Sequence, residues 1–187
     1  MRKIGLLGGT FDPPHYGHLL MAEQVKEQLH LDEIWFMPNQ QPPHKNNAKT
    51  DGQTRLKMID LAIQDNHAFK TEGIELKRSG KSYTIDTIRQ LREMYPSTTF
   101  YFIIGGDMVE YLPKWHAIDE LIQLVTFIGV NRKGYKRETE YPVIEVDIPT
   151  IELSSTMIRE KVKNNQSIQY TTPKVVVEFI HQKKLYK

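Results

Sequence analysis

Short apolar runs alternate with helix-like patterns along this chain. The apolar runs predict buried strands, which we place at 4–7, 33–37, 100–104, 125–130 and 143–146. Apolar residues three and four positions apart predict helices, which we place at 16–30, 54–63, 84–94 and 173–181. The stretch 69–77 alternates loosely and is interpreted as one strand or two short ones. Strands separated by helices favour a parallel sheet with right-handed crossovers.

The order of these elements predicts one α/β domain over residues 1–187. The run 100–104 is apolar throughout, which is typical of a central strand in a parallel sheet. No internal repeat, low-complexity segment or linker divides the sequence. We therefore expect a doubly wound, mostly parallel sheet with helices on both faces, and C-terminal helices over 154–187 that pack on the same core.

The amino-acid composition disfavours or excludes several classes of protein and several kinds of site. Lys plus Arg number 25 against 23 Asp plus Glu, a near balance that argues against a dedicated nucleic-acid binder. The absence of cysteine excludes disulfides, a thiolate nucleophile and a cysteine zinc site. The start, Met1-Arg2-Lys3, precedes only a short apolar run, so we expect no signal peptide or membrane span. The expectation is a cytoplasmic protein with neither nucleic acid nor membrane as partner.

The most informative stretch joins the first strand to the first helix. It reads Gly8-Gly9-Thr10-Phe11-Asp12-Pro13-Pro14-His15-Tyr16-Gly17-His18. The two leading glycines allow a ligand to approach the main chain closely. His15 and His18 are three residues apart, so they fall on one side of the first helical turn. Free N–H groups and the helix dipole favour an anion there, and together with two imidazoles they indicate a phosphate site.

Two lysine-containing stretches are candidates for phosphate binding. The polar loop Pro38–Gly52 follows the second strand, where His44 and Lys45 could reach the same site or lie solvated. Ser79-Gly80-Lys81-Ser82 superficially resembles a P-loop, but Glu75 stands where the Walker pattern requires glycine. We reject the P-loop interpretation and leave the role of the 38–52 loop open.

Three further segments could line a cleft. The hydroxyl groups of Ser82-Tyr83-Thr84 open a helix, where they either cap it or help to hold a carboxylate. Gly105-Gly106-Asp107 follows the central strand, so Asp107 either contacts a ribose or metal or caps the segment 108–112. Trp115 either stacks on a planar ring or belongs to the core.

A second motif lies at Leu153-Ser154-Ser155-Thr156-Met157-Ile158-Arg159. Its hydroxyl residues open a helix without the Glu or Gln that would complete a capping box. Arg159 falls in or near the first turn, where the helix dipole disfavours a cation. A polyphosphate would resolve that conflict by using the hydroxyls, the N–H groups and the guanidinium together. The alternative is an ordinary solvent-exposed arginine.

These motifs carry a family resemblance. Gly9, Phe11, Pro13, His15 and His18 fill every fixed position of the motif shared by the nucleotidylyltransferases of the H-x-G-H superfamily. The 154–159 stretch resembles the second motif of that superfamily, with leucine at 153 where isoleucine is more usual. Motif separation and chain length resemble bacterial nicotinate mononucleotide adenylyltransferases over essentially the whole chain.

The resemblance implies a fold, a reaction and a set of site residues. The fold would be Rossmann-like, and the reaction would convert ATP and nicotinate mononucleotide to deamido-NAD and pyrophosphate with Mg²⁺. The catalytic residues would be His15, His18 and Arg159. The ATP-binding residues would be Gly8, Gly9, Thr10, Phe11, Gly17, Lys45, Gly105, Ser155 and Thr156. The acceptor-binding residues would be Tyr83, Thr84, Gly106, Asp107 and Trp115.

Several alternatives stay open at this point. Nicotinamide mononucleotide, phosphopantetheine or a polyol phosphate could replace nicotinate mononucleotide as acceptor, and the chain could be a non-catalytic nucleotide-binding module. A dinucleotide-binding oxidoreductase is disfavoured because no G-x-G-x-x-G follows the first strand. A zinc hydrolase is disfavoured because H-E-x-x-H is absent. The sequence leaves a homodimer open.

Overall fold

The computed structural model describes residues 1–40, 48–78, 82–132, 139–149 and 151–187. Its strands are β1 Arg2–Gly9, β2 Glu33–Pro38, β3 Phe69–Thr71, β4 Thr98–Gly105, β5 Thr126–Arg132 and β6 Val143–Ile148. Its α-helices are α1 Tyr16–Gln28, α2 Gly52–Ile63, α3 Thr84–Met94, α4 Gly106–Val109, α5 Ile118–Leu124, α6 Ser155–Lys163 and α7 Lys174–Gln182. Single 3₁₀ turns occur at Ile74–Lys77 and Leu112–Lys114.

The six strands form one parallel sheet in the order β3-β2-β1-β4-β5-β6. β1 and β4 are the two central strands, which confirms the prediction for 100–104. The strands β2 and β3 follow β1 toward one edge of the sheet, and β5 and β6 follow β4 toward the other edge. In such sheets a crevice opens beyond the carboxyl ends of the two central strands, where ligands bind. The segments after β1 and β4 therefore flank the expected binding crevice.

Alternation along the central strands covers both faces of the sheet. Phe100, Phe102 and Ile104 point into a cluster with α3 and α5, whereas Ile103 points into a second cluster with α1 and α2. Side chains of successive strand residues point to opposite faces, so a nearly continuous apolar strand must be covered on both sides. The predicted Rossmann-like architecture is confirmed.

A third apolar cluster joins the last two helices to α2. It contains Met58, Ile158, Val162, Ile168, Val176, Val177 and Ile180. The spacing of the last three places them on one face of α7, as the sequence pattern predicts. α6 and α7 thus pack on the outer side of α2 and bring the second motif toward the first.

Some predicted boundaries were wrong. The stretch 69–77 forms the three-residue β3 and then a 3₁₀ turn, not a longer strand or two strands. α1 ends at Gln28 rather than near His30, and α2 begins at Gly52, where Asp51 caps it by accepting the Thr54 N–H at 2.9 Å. Across the described part of the chain, no helix is long and apolar enough to cross a membrane.

Candidate active site

The buried side chain of Phe11 packs against the first motif. Its backbone φ of 51° lies in the left-handed region, and its side chain is only 1% exposed. The ring contacts the His18 ring edge-on at 4.9 Å between centroids, and a Cβ at Gly9 would lie 2.9 Å from a ring atom of Phe11. Gly9 therefore leaves space for this buried ring. The ring of Phe11 thus packs against His18, and the expected ATP contact of Phe11 stays a prediction.

His15 and His18 form a stacked pair at the start of α1. Their ring centroids are 3.7 Å apart with an interplanar angle of 27°. The backbone N–H of His15 donates to Nδ1 of His18 at 3.2 Å, so in the neutral ring Nε2 of His18 carries the proton. His18 thereby presents a donor on the ring edge away from the helix backbone.

Burial keeps the His15 ring neutral. The side chain is 6% exposed, and desolvation lowers the pKa of His15 to about 4. A Cβ at Gly17 would lie 3.0 Å from Nδ1 of His15. The glycine between the histidines therefore makes room for the His15 ring, and its predicted part in ATP binding stays a prediction.

This lowered pKa predicts a pH-dependent contribution to stability. Unfolded His15 titrates near its ordinary pKa of about 6.5, so between that value and about 4 the unfolded chain binds more protons than the folded one. The contribution is complete above about pH 6.5 and is lost as the pH falls toward 4. Relative to His15→Asn, wild type should lose on the order of 2 kcal/mol of unfolding free energy between pH 7 and 4.5.

Urea unfolding at a series of pH values measures this difference. Groups common to both proteins cancel in the comparison, including Glu75, whose pKa is raised by burial and which acts with the opposite sign. Parallel pH profiles for wild type and His15→Asn would contradict the burial of a neutral imidazole.

The second motif folds directly against the first. Ser154 caps α6 by accepting the Met157 N–H at 3.1 Å, as the hydroxyl pattern predicts. The Ser155 hydroxyl donates to the carbonyl of Pro13 at 2.8 Å. Arg159 donates through Nη1 to the carbonyl of Asp12 at 2.8 Å and through Nη2 to Oγ1 of Thr156 at 3.0 Å. The motifs that carry the family resemblance are thus in contact.

Arg159 occupies the fifth position of α6, just after the first turn, which agrees with the sequence prediction. Its conflict with the helix dipole is eased by a carbonyl acceptor from the first motif. A guanidinium has five N–H donors in a planar fork, so bonds from Nη1 and Nη2 to protein leave further donors for an anion. Arg159 is half-buried beside the histidine turn and can serve both the protein and a ligand.

Two residues that the sequence analysis missed hold the turn in place. Thr172, which is 1% exposed, donates through Oγ1 to the carbonyl of Pro14 at 2.7 Å. Together with Ser155 and Arg159 it engages three consecutive carbonyls, from residue 12 to residue 14. Nothing in the spacing around Thr172 signals this contact, since it depends on how the C-terminal segment returns to α1.

Arg55 is the second missed residue. It is 1% exposed and donates through Nη1 to the carbonyl of Thr10 at 2.9 Å and through Nη2 to the carbonyl of Asn39 at 2.8 Å. The guanidinium thereby joins the segments that leave β1 and β2. A sequence signal existed, because Arg55 precedes Met58 and Ile59 at helical spacing and so lies on the apolar face of α2.

The acceptor-side residues surround the start of α3. Tyr83 is the N-cap, and no side chain caps the helix, so the prediction of a hydroxyl cap was wrong. The Ser82 hydroxyl is buried without a hydrogen-bond partner among the described residues. Tyr83 also contacts the ring of His116 at 4.5 Å between centroids. His116 was missed; its position beside Trp115 was the only available clue.

Trp115 belongs in part to the core. Its ring meets Phe102 and Phe127 edge-to-face at 5.8 and 5.7 Å between centroids. The indole is half-buried, and its Nε1 is buried without a partner among the described residues. Packing on the sheet therefore fixes the indole, and one polar atom remains to be satisfied.

The segment after β4 forms the short helix α4. Gly105 is its N-cap and Gly106 its first residue, so the glycines stand at the carboxyl end of a central strand as predicted. Asp107 lies inside α4, and the alternative that it caps the segment 108–112 was wrong. Its side chain lies outside the described part, as do both His44 and Lys45.

Buried polar atoms without partners concentrate around these segments. Among the described residues they are Nδ1 of His15, Oδ1 of Asn39, Nε of Arg55, Oγ of Ser82 and Nε1 of Trp115. Buried polar groups normally find hydrogen-bond partners, so such a group calls for a water or a ligand. These atoms lie close in sequence to the ends of β1 and β2, the start of α3 and the segment after α4. This placement is consistent with a polar ligand in the crevice beyond the carboxyl ends of the central strands.

Comparison with known proteins places the chain among nucleotide-transferring enzymes. A family model described as cytidylyltransferase-like matches residues 6–161. The probable nicotinate-nucleotide adenylyltransferase of Oceanobacillus iheyensis is 58% identical over 186 residues, covering 100% of this chain and 97% of that protein. The nicotinate-nucleotide adenylyltransferase of Bacillus subtilis is 53% identical over 188 residues, covering 100% of both.

A solved structure agrees with the fold. The nicotinic acid mononucleotide adenylyltransferase of Plasmodium falciparum, complexed with NaAD, superposes with a TM-score of 0.82 at 20% identity. That match covers 100% of this chain and 98% of the other. The fold and the paired motifs are those of a nucleotidyltransferase, as predicted from the sequence. With its full-length relatives at 50–58% identity, the chain belongs to the nicotinate-nucleotide adenylyltransferase family.

Proposed function

We propose that this chain transfers the adenylyl group of ATP to nicotinate mononucleotide, which releases pyrophosphate and forms deamido-NAD. One observation carries the proposal most directly. Arg159 donates to the carbonyl of Asp12 across 147 residues of sequence, which unites the histidine turn and the start of α6 in one cationic, donor-rich site. Such a site suits a polyphosphate, and relatives that span the whole chain share the predicted activity in their names.

The chemistry requires positioning and charge neutralisation. A phosphate oxygen of the acceptor attacks the α-phosphorus of ATP, and the bond to the β-phosphate oxygen breaks as pyrophosphate leaves. We assign Nε2–H of His18 to the α-phosphate oxygen, where negative charge builds in the transition state. Neutral His15 supports the ring of His18 by stacking. No covalent intermediate is needed, because binding both substrates in line supplies much of the rate enhancement.

The β- and γ-phosphates are assigned to the start of α6. The remaining N–H donors of Arg159, the hydroxyl of Thr156 and the first N–H groups of the helix form an anion-binding arrangement. Ser155 contributes by fixing the carbonyl of Pro13, and its oxygen can still accept one further bond. Lys45, predicted from the 38–52 loop, lies outside the described residues and remains a proposed phosphate contact.

Mg²⁺ would enter with ATP. Within the described residues no group of three or more histidines, cysteines or carboxylates could hold a metal. Mg²⁺ is usually bound through substrate phosphates, water and one or two carboxylates, so this donor set suits delivery as the Mg²⁺–ATP complex. When bound, the ion neutralises charge on the phosphate oxygens.

The nicotinate carboxylate is assigned to the start of α3. The N–H groups of Thr84 and Ile85 lie in the first turn, where an α-helix offers no carbonyl partner. Ser82, whose hydroxyl has no partner among the described residues, and Tyr83 immediately precede them in the sequence. A carboxylate accepts bonds from such donors, whereas an amide brings its own NH₂ group to them. Trp115 would border the pyridine ring, while Gly106 and Asp107 would approach the ribose.

The proposed function predicts a preference between two acceptors that differ only in acid or amide. Pyrophosphate release from Mg²⁺–ATP is measured with nicotinate mononucleotide and with nicotinamide mononucleotide, and reactions without acceptor or with excess chelator serve as controls. We expect kcat/KM to favour the acid by at least about tenfold, since the amide leaves N–H donors unpaired. Equal rates would remove the carboxylate site, and turnover with neither would contradict the proposal. Phosphopantetheine would then be tested as the acceptor. Nucleotide binding without turnover would be tested as the alternative to catalysis.

A further inference from the structure

The buried carboxylate of Asp12 joins the histidine turn to two other parts of the chain. Its Oδ2 accepts the backbone N–H of Lys49 at 2.6 Å, and its Oδ1 accepts the hydroxyls of Thr50 at 2.7 Å and Tyr186 at 2.6 Å. The side chain is only 2% exposed, so these donors replace the water that a carboxylate otherwise requires. Asp12 thus connects the first motif with the segment before α2 and the segment after α7.

Tyr186 is held in an unusual backbone conformation. Its φ of 63° lies in the left-handed region, which is rare for a bulky residue and persists where the surroundings determine it. Tyr170 has the same φ of 63°, but its side chain is 90% exposed. The ring of Tyr186 packs against the third apolar cluster beside α2 and α7, and its hydroxyl points to Asp12. Burial and the adjacent carboxylate raise the pKa of Tyr186, so its hydroxyl remains a donor.

Asp12 serves two partners with different atoms. Its carboxylate accepts the hydroxyl of Tyr186, and its backbone carbonyl accepts Nη1 of Arg159. We propose that Tyr186 is a positioning residue for the triphosphate half of the active site and acts through Asp12. This inference rests on the proposed function and deepens it by adding a residue, beyond both motifs, that sets the geometry of ATP binding.

Because of where the hydrogen bonds to Asp12 lie, we expect the loss of one of them to weaken the binding of only one substrate. Asp12 directly follows Phe11, whose ring contacts His18, and the carbonyls of Asp12 and the next residue accept bonds from Arg159 and Ser155. The acceptor-side residues follow β4 and open α3, and none of them hydrogen-bonds to Asp12 among the contacts described. Loss of the Tyr186 hydroxyl should therefore loosen the phosphate contacts and leave the acceptor contacts intact.

The variant Tyr186→Phe removes only the hydroxyl and keeps the ring in the apolar cluster. We expect the KM for ATP and the Kd for α,β-methylene ATP each to rise about 3- to 10-fold, as for a hydrogen bond to a charged group felt through one intervening residue. The KM for nicotinate mononucleotide should stay within about twofold of wild type. Tyr170→Phe, at the exposed tyrosine of equal φ, should change none of these constants.

The different effects expected on the KM for ATP and on the KM for nicotinate mononucleotide distinguish a positioning role from simple destabilisation. Partial unfolding lowers the active fraction and hence kcat, and it moves neither KM. That pattern, or an ATP-analogue Kd equal to wild type, would overturn the proposal. The binding measurement uses no acceptor, so it decides the role of Tyr186 even if the wild-type chain proves inactive with every acceptor and the proposed function itself fails.

Two further variants test the path through Asp12. In a cycle of Tyr186→Phe with Asp12→Ala, which removes both carboxylate oxygens, the double variant should weaken analogue binding no more than Asp12→Ala alone, whereas additive effects would contradict the path. Thr50→Val removes the other side-chain donor to the same carboxylate oxygen and should reproduce the selective rise in the KM for ATP. If Tyr186→Phe does not fold, Thr50→Val carries the test, and an unchanged KM for ATP in it overturns the proposal.

Discussion

Replacing His18 by alanine should lower kcat by about 10²- to 10³-fold while changing the KM for ATP only a few-fold. The reason is that Nε2–H of His18 is assigned to the α-phosphate, whose negative charge grows on the way to the transition state. An interaction that strengthens in the transition state affects kcat more than ground-state binding. Steady-state kinetics with both substrates varied measures the two effects separately.

His18→Asn distinguishes catalysis from support of the helix. The Oδ1 of asparagine can accept the His15 N–H in place of Nδ1, but nothing replaces Nε2–H. We expect the loss in kcat to match that of His18→Ala. The exposed His67 supplies the control, since His67→Ala should behave as wild type. Near-normal kcat in His18→Asn would assign His18 to capping alone and remove it from the reaction.

Arg55→Met should lower the free energy of unfolding by about 3–5 kcal/mol, the range for a buried ionic contact that loses one partner. The carbonyls of Thr10 and Asn39 would lose their guanidinium donors, and the buried carboxylate of Asp12 would lose the electrostatic attraction of Arg55. Methionine retains most of the length of the side chain, so the loss reports on the charged fork rather than on an empty cavity. Urea unfolding at pH 7 provides the measurement.

Arg89→Met is the matched control for Arg55→Met. Arg89 makes three hydrogen bonds to Glu120, more than Arg55 makes to its two carbonyls, yet both side chains of this pair are 48% exposed. Water screens exposed ion pairs, so the loss of unfolding free energy should be far smaller than that of Arg55→Met. Similar losses for the two variants would show that burial does not set the importance of Arg55.

Sequence patterns predicted the features whose causes are local. The central strand β4 contains the apolar run 100–104, and the apolar spacing of α3 predicts its observed bounds, Thr84–Met94. The turn around His15 was recognisable because glycines, prolines and a helix start occur together within a few residues. Strand–helix alternation predicted a parallel sheet with right-handed crossovers, but it did not predict the order of the strands.

The contacts that hold the site together could not be predicted in this way. Thr172 and Tyr186 reach the histidine turn only after α6 and α7 have packed on α2, and no local spacing encodes that return. Hydroxyl residues before α3 suggested a cap, but Ser82 is buried with its oxygen unpaired. Arg55 could be noticed in the sequence as a cation on the apolar face of a helix. Its hydrogen-bond partners are seen only in the tertiary structure.

The position of the triphosphate tests the central claim most directly. A crystal structure of the chain with Mg²⁺ and α,β-methylene ATP would locate it, because the analogue cannot be cleaved between the α- and β-phosphates. The account predicts an α-phosphate oxygen within about 3 Å of Nε2 of His18, and the β- and γ-phosphates against Arg159 and the start of α6. A triphosphate bound away from the histidine turn, with Nε2 of His18 beyond hydrogen-bond reach of it, would contradict the account.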